Sequence, residues 1–345
     1  MKIGILLDYS GQEVNLPMDM VLQAEKLGYD SVWVAEAYAS DAISIASWVL
    51  AQTTTIKVGT AIMQIPARTP ANAAQTAMTL AQMSGGRFIA GLGASGPQVV
   101  EGWHGVPYSK PVQRSREYIQ IMRKIMARQR SEFDGQVYQL PCNGPGSTGL
   151  GKSLKCILKA ETETPIYSAS FTPGGLRMTG EVADGVIPVM LSPEKFDILR
   201  PALEEGFAKA GGDKGFHNFD VAPFVPVCLG ENLEACRMPV KHFLALYIGG
   251  MGAKSKNFYN DFAKKLGYVE EAEKIQDLYL AGKKDQAIAA VPDELVDEIA
   301  LVGDEQRIRA QAIKWKALEA EGVLSTMIFT MPQREALPLL ADIFK

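Results

Sequence analysis

Residues 56–93 read IKVGTAIMQIPARTPANAAQTAMTLAQMSGGRFIAGLG, and this stretch decides the fold class. The run from Ile56 to Ile62 predicts a strand. Thr69-Pro70 predicts the start of a helix, because proline at the first helical position has its φ preset and forfeits only a donor that would be unpaired there. Ser84-Gly85-Gly86 stops that helix, and Arg87 to Leu92 predicts the next strand, which runs into a glycine-rich turn. Strand, helix and strand in such close succession argue for a parallel sheet built of βα units.

The same alternation extends in both directions. Toward the amino end lie a strand from Ile3 to Leu7, a helix from Met18 to Leu27 stopped by Gly28, a strand from Ser31 to Ala35 ending at Glu36, and a helix capped by Asp41 and running through Trp48. Toward the carboxyl end come an amphipathic helix from Arg114 to Arg128, a hairpin from Phe133 to Leu140, and strands at Pro165–Ala169, Gly185–Met190 and Val221–Cys228. Helices are expected near Leu176–Val182 and Glu194–Ala210, and a last strand, Leu324–Phe329, precedes a closing helix from Gln333. Eight strand signals in 345 residues leave about 43 residues per unit, which suits a (β/α)8 TIM barrel with insertions better than an open sheet. The expectation is one barrel domain over residues 1–345, with insertions near 132–164 and 233–302, the second largely helical and without a strand signal.

Thirty-five Lys and Arg against 39 Asp and Glu give a net charge of −4, which excludes a strongly basic nucleic-acid binder. At 47% hydrophobic and 21% charged, the composition is that of a compact globular protein. The four cysteines, Cys142, Cys156, Cys228 and Cys236, form no C-x-x-C pair, and the three histidines are scattered, so no metal site is expected. The apolar run at the amino terminus is too short for a signal peptide, and no apolar stretch of about 18 residues occurs. These features read as a cytoplasmic protein with reduced thiols and no membrane partner.

Three motifs mislead. Gly146 to Ser153 matches the phosphate-binding P-loop letter for letter, but no buried strand precedes it and Pro165 interrupts the segment after it, so a loop is expected. Gly91-Leu92-Gly93-Ala94-Ser95-Gly96 matches the dinucleotide fingerprint and follows a strand, yet Glu117, where an acidic residue ending a second strand is needed, lies inside a helix. What survives is glycines after a strand, which let backbone N–H groups approach a ligand or simply make a tight turn. Ser95 fails as a nucleophile elbow because Gly96-Pro97 follows it.

A barrel carries its site at the carboxyl ends of its strands, so the polar residues there are the informative ones. They are Asp8, Glu36, Gln64, Ser95, Gln98, Ser168 and Ser170. Ser170-Phe171-Thr172-Pro173-Gly174-Gly175 opens a helix and offers an anion site suited to a phosphate. Glu36 and Asp8 equally suit a helix cap or an arginine partner. His104 suits a proton donor or a packing residue, and Trp103 and Tyr108 suit core positions.

Val32-Trp33-Val34-Ala35-Glu36-Ala37-Tyr38, Gly59 through Pro70, Ser84-Gly85-Gly86-Arg87-Phe88 and Gly96-Pro97-Gln98 resemble the bacterial luciferase-like superfamily, and within it the branch that uses the deazaflavin coenzyme F420. The resemblance continues through Ala183-Asp184-Gly185 and Gly249-Gly250-Met251-Gly252 to Leu301-Val302-Gly303, nearly the whole chain. It implies a barrel with the deazaflavin ring at the carboxyl ends of the strands and a non-proline cis peptide at Ala61-Ile62 behind it. Ile62 and Gln64 would contact the ring, with Asp8 at the same end of the barrel. Gly93, Ala94, Ser95, Gly96, Pro97 and Gln98 would border the tail or the substrate. Ala169, Ser170, Phe171, Gly174 and Gly175 would hold the phosphate-bearing tail.

The sequence departs from that pattern at Ala37, where the alcohol and sugar-phosphate dehydrogenases of the branch, and the luciferases, carry histidine. An alcohol oxidation needs a base for the hydroxyl proton, so the departure favours a reductase, in which reduced F420 gives a hydride to an electron-poor bond of a small organic substrate. Glu36 and Tyr38 are then the proton-handling candidates, with His104 third. The alternatives are a flavin mononucleotide monooxygenase of luciferase type and a coenzyme-binding protein without catalysis. A homodimer is what the resemblance implies.

Overall fold

The computed structural model describes residues 1–8, 11–159 and 163–345. All eight predicted strands are present. They are β1 (Lys2–Leu7), β2 (Ser31–Val34), β3 (Lys57–Thr60), β4 (Phe88–Gly93), β5 (Ile166–Ser168), β6 (Gly185–Val186), β7 (Asp220–Val221 continuing as Phe224–Leu229) and β8 (Thr326–Thr330). The barrel strands pair in parallel, from β1 through β2, β3, β4, β5 and β6 to the first half of β7, while the second half of β7 pairs β8 and β8 pairs β1. The two halves of β7 are one extended segment around Ala222-Pro223. The amides of Ser325 and Ile328 reach the carbonyls of Val221 and Pro223, so the sheet closes on itself as a barrel.

Helices cover the outside. Those that position the site are α1 (Met18–Lys26), α2 (Ala42–Gln52), α3 (Pro70–Met83), α4 (Pro97–Gly102), α5 (Pro111–Met126), α6 (Pro173–Val182) and α7 (Arg200–Ala210). The expected caps are in place: the Asp41 carboxylate accepts from the Ser44 amide at 2.7 Å and the Thr69 hydroxyl from the Asn72 amide at 3.2 Å. One helix is split where the spacing predicts it continuous. In place of Glu194–Ala210 there is a 3₁₀ run over Pro193–Ile198, itself kinked at Lys195, followed by α7.

The second insertion holds α8 (Leu233–Ala245), α9 (Phe258–Lys265), α10 (Val269–Leu280), α11 (Lys284–Ala289) and α12 (Asp293–Ile299). It is not free of strand, as was expected: Leu301–Gly303 pairs in parallel with Val227–Leu229 of β7 and leads into α13 (Glu305–Ala320). Helix α14 (Leu337–Phe344) closes the chain. In the first insertion only the Phe133–Asp134 and Gln139–Leu140 hairpin is regular, residues 160–162 lie outside the described residues, and the segment matching the P-loop is a surface loop without a following helix.

The inside of the barrel is a small core separate from the large one between strands and helices. It contains Leu6, Trp33, Ala35, Ala61, Ile89, Tyr167, Ile187, Ala222 and Ile328. Trp33 dominates it, 1% exposed, with its indole N–H donating to the Ser31 hydroxyl at 2.8 Å and its ring 5.5 Å from that of Tyr167. The strands on either side of β2 both carry glycine where they face it. A Cβ on Gly59 would drive into the six-membered ring of Trp33, and one on Gly4 would collide first with the hydroxyl and carbonyl oxygens of Ser31, the carbonyl 2.8 Å away, with the indole Nε1 at 3.1 Å. Gly59→Ala is therefore expected to cost about 1–3 kcal/mol of unfolding stability through overpacking, read as a lower urea midpoint. An unchanged midpoint would mean that the indole has space to move.

Candidate active site

The carboxyl ends of β2, β3 and β4 converge on one hydrogen-bonded group. Glu36, just past β2, is buried, its side chain 7% exposed. Its two oxygens accept from both terminal nitrogens of Arg68 at 2.7 and 2.8 Å, from the Ala42 amide at 3.1 Å and from the Gln64 amide at 2.9 Å. Arg68 also meets Asp41, and the two carboxylates keep its guanidinium, against partial burial, above its already high ordinary pKa. Glu36 thus caps α2 and anchors the segment after β3.

That anchored segment bears Gln64, 1% exposed. Its side-chain Nε2 donates to the Ala37 carbonyl at 2.7 Å, and its Oε1 lies 2.7 Å from His104 Nε2. His104 reaches this point from the loop after β4. Ser95 takes a left-handed φ of 61°, Gly96-Pro97 starts α4, and the helix unwinds with the amides of Trp103 and His104 both on the Val99 carbonyl before Gly105 turns at φ 65°. The Tyr38 and Trp103 rings, next in sequence to Ala37 and His104, pair at 6.5 Å, each 65% exposed. Trp103 is therefore a surface residue and not the core residue expected. Asp8 is exposed at the end of β1, and partial desolvation by the surrounding walls raises its pKa above the ordinary aspartate range.

The floor of the mouth is small and apolar. The Ala61–Ile62 peptide is cis. The Ile62 side chain lies over Gly93, where a Cβ would come within 2.6 Å of its Cγ1. Ala94 and Ala169 continue the floor, both half-buried. Past β5, Thr172 caps α6 by accepting from the Gly175 amide at 3.3 Å, Ser170 accepts from the Thr179 hydroxyl at 3.1 Å, and a Cβ on Gly174 would meet Val112 Cγ2 at 3.8 Å, an ordinary contact. The start of α6 carries the partial positive charge that any helix N-terminus offers an anion. Ser95, Gly96 and Pro97 are half-buried at the β4 edge and Gln98 is exposed.

The second insertion packs onto this end. Phe171 stacks on Tyr259 at 4.9 Å, Tyr259 meets Tyr247 at 4.8 Å, and Tyr247 meets Phe243 at 4.3 Å, so the apolar Phe243–Met251 segment forms an aromatic wall. Burial pushes the Tyr259 phenol up to about 12. Leu246–Gly250 is a π-helical turn whose Tyr247 and Ile248 carbonyls are taken by the buried amides of Asn257 and Asn260 at 2.9–3.2 Å. Neither asparagine nor Arg68 stood out as a site residue in the sequence; the one available signal was an arginine directly ahead of Thr69-Pro70.

The model of the family described as luciferase-like monooxygenase matches residues 3–321. The chain belongs to the luciferase-like family. This luciferase-like chain is 39% identical over 344 residues to a Mycobacterium tuberculosis protein provisionally named a coenzyme F420-dependent oxidoreductase, covering 99% of this chain and 98% of that one. It is 26% identical over 281 residues to the 5,10-methylenetetrahydromethanopterin reductase of Archaeoglobus fulgidus, 81% and 80% of the two chains. Among solved structures, the coenzyme F420-dependent tetrahydromethanopterin reductase of Methanopyrus kandleri shares the fold, with a TM-score of 0.79 at 19% identity over 99% of this chain and 97% of that one. Among the described residues of this luciferase-like chain no helix is long and apolar enough to cross a membrane, and no group of three or more His, Cys, Asp or Glu side chains is placed to hold a metal ion.

Proposed function

We propose that this chain is a coenzyme F420-dependent reductase of small organic substrates, working as a cytoplasmic homodimer. The observation that carries the reading is the near full-length identity to a protein named for that coenzyme; the apolar floor and the start of α6 fit a planar ring with an anionic tail. Reduced F420 supplies the hydride when bound, and the protein supplies orientation and proton handling. Ile62, Gly93 and Ala169 support the ring, and Thr172 to Gly175 hold the phosphate. Ala94, Ser95, Gly96, Pro97 and Gln98 border the substrate, and Tyr38 and Trp103 wall it.

His104 takes the proton role. Glu36 already accepts four hydrogen bonds, two of them from a cation, so it works as a positioning residue. Position 37 lacks the imidazole of the dehydrogenases, but His104 reaches the side chain that holds the Ala37 carbonyl. Imidazole exchanges protons near neutral pH, which is what a reduction ending on oxygen or nitrogen requires.

A parallel titration of the purified protein with F420 and with flavin mononucleotide, followed by tryptophan quenching, tests the coenzyme. The expected result is at least about a tenfold tighter fit for F420, a difference of about 1.4 kcal/mol. Tighter binding of the flavin would turn the reading toward oxygen chemistry.

A further inference from the structure

We propose that Gln64 fixes the tautomer of His104, so that Nε2 carries a proton throughout turnover and Nδ1 is the nitrogen that exchanges a proton with the substrate. This rests on the reductase reading for the role of Nδ1, but not for the tautomer itself. A carbonyl oxygen cannot donate, so the Ala37 carbonyl requires the NH2 side of the Gln64 amide, 2.7 Å away. The amide oxygen then necessarily faces His104 Nε2, at 2.7 Å, and an amide oxygen only accepts. Nε2 must therefore be N–H, and in the neutral ring Nδ1 is left as the acceptor.

The arrangement does not turn over easily. Gln64 is 1% exposed, its own amide is held by Glu36, and Glu36 is held by Arg68. Reversing the glutamine amide would set its oxygen against the Ala37 carbonyl in a buried place, leaving two acceptors facing each other. In the reductive direction the imidazolium gives its Nδ1 proton to the substrate heteroatom, which has received the electron pair of the broken π bond as the hydride adds to carbon. The ring is left neutral with Nε2–H still on Gln64, and solvent returns the Nδ1 proton.

Long-range 1H–15N spectra of the uniformly labelled protein, without coenzyme and at a pH where the imidazole rings are neutral, read the tautomer directly. The chain has three histidines, so loss of one signal set in His104→Gln assigns the resonances. The expected spectrum has a protonated Nε2 and an unprotonated Nδ1 for His104. A protonated Nδ1, or an even mixture of the two tautomers, overturns the proposal in the wild-type protein alone. In Gln64→Met the tautomers are expected to mix, and kcat to fall about tenfold or more. A tautomer unchanged in that variant also overturns it. Because the spectra need no coenzyme, failure to bind F420 would count against the reductase reading and leave the tautomer result standing.

Discussion

Arg68→Met is expected to remove about 3–5 kcal/mol of unfolding stability, the range for breaking a buried ion pair from one side. The size follows from what is left behind. Glu36 is 7% exposed and loses both guanidinium contacts, while the Ala42 and Gln64 amides remain as donors, which places the loss toward the lower end of the range. The Asp41 contact adds little, since that side chain is 46% exposed and solvent screens it. Urea unfolding followed by circular dichroism measures the effect, and a loss below about 1 kcal/mol would mean that the pair behaves as a surface pair. The double variant Glu36→Gln with Arg68→Met is a useful partner, because it removes both charges while keeping one acceptor oxygen for the Ala42 and Gln64 amides, and it should restore part of the loss.

The second large effect is on rate. His104→Gln is expected to lower kcat about a hundredfold, at the lower end of what general acid catalysis contributes, with F420 affinity nearly unchanged. Glutamine keeps an N–H donor for Gln64 Oε1 and removes only the titratable ring, so the loop after α4 stays where it is. Steady-state oxidation of reduced F420 against an acceptor turned over by the wild type gives kcat, and quenching titration gives the affinity. A kcat within about threefold of wild type would take His104 out of the proton path and return attention to Asp8, whose carboxyl is already raised by its surroundings.

The barrel was legible in the sequence because each strand is a β-branched run bounded by glycine, proline or a capping residue, as at Ile56–Ile62 and Thr69-Pro70. Leu301–Gly303 escaped because three residues between two helical stretches carry no period, and only their pairing with β7 makes them a strand. The split at Leu199 escaped because Glu194–Ala210 keeps its helical spacing across it. At the site, residue types were readable and partners were not. Glu36 was marked by its place after β2, but that it spends both oxygens on Arg68, Ala42 and Gln64 depends on contacts across 6 to 32 positions. The Gln64–His104 contact spans 40 positions, and nothing local in either residue announces it. The core shows the same thing, since Gly4 and Gly59 read alone as weak strand residues and make sense only against Ser31 and Trp33 of the strand between them.

The ring of strands also sets a timetable for synthesis. β8, Thr326–Thr330, is the strand that joins β1 to β7, and it begins about 320 residues after β1 ends. At about 5–20 residues per second, the free edge of β1 waits roughly 15–60 s on the ribosome for its neighbour. Throughout that interval an apolar strand edge is open to pairing with other nascent chains. Closure of the barrel therefore waits on β8, and a chain cut short before residue 326 is left with two unpaired edges, a substrate for chaperones and proteases.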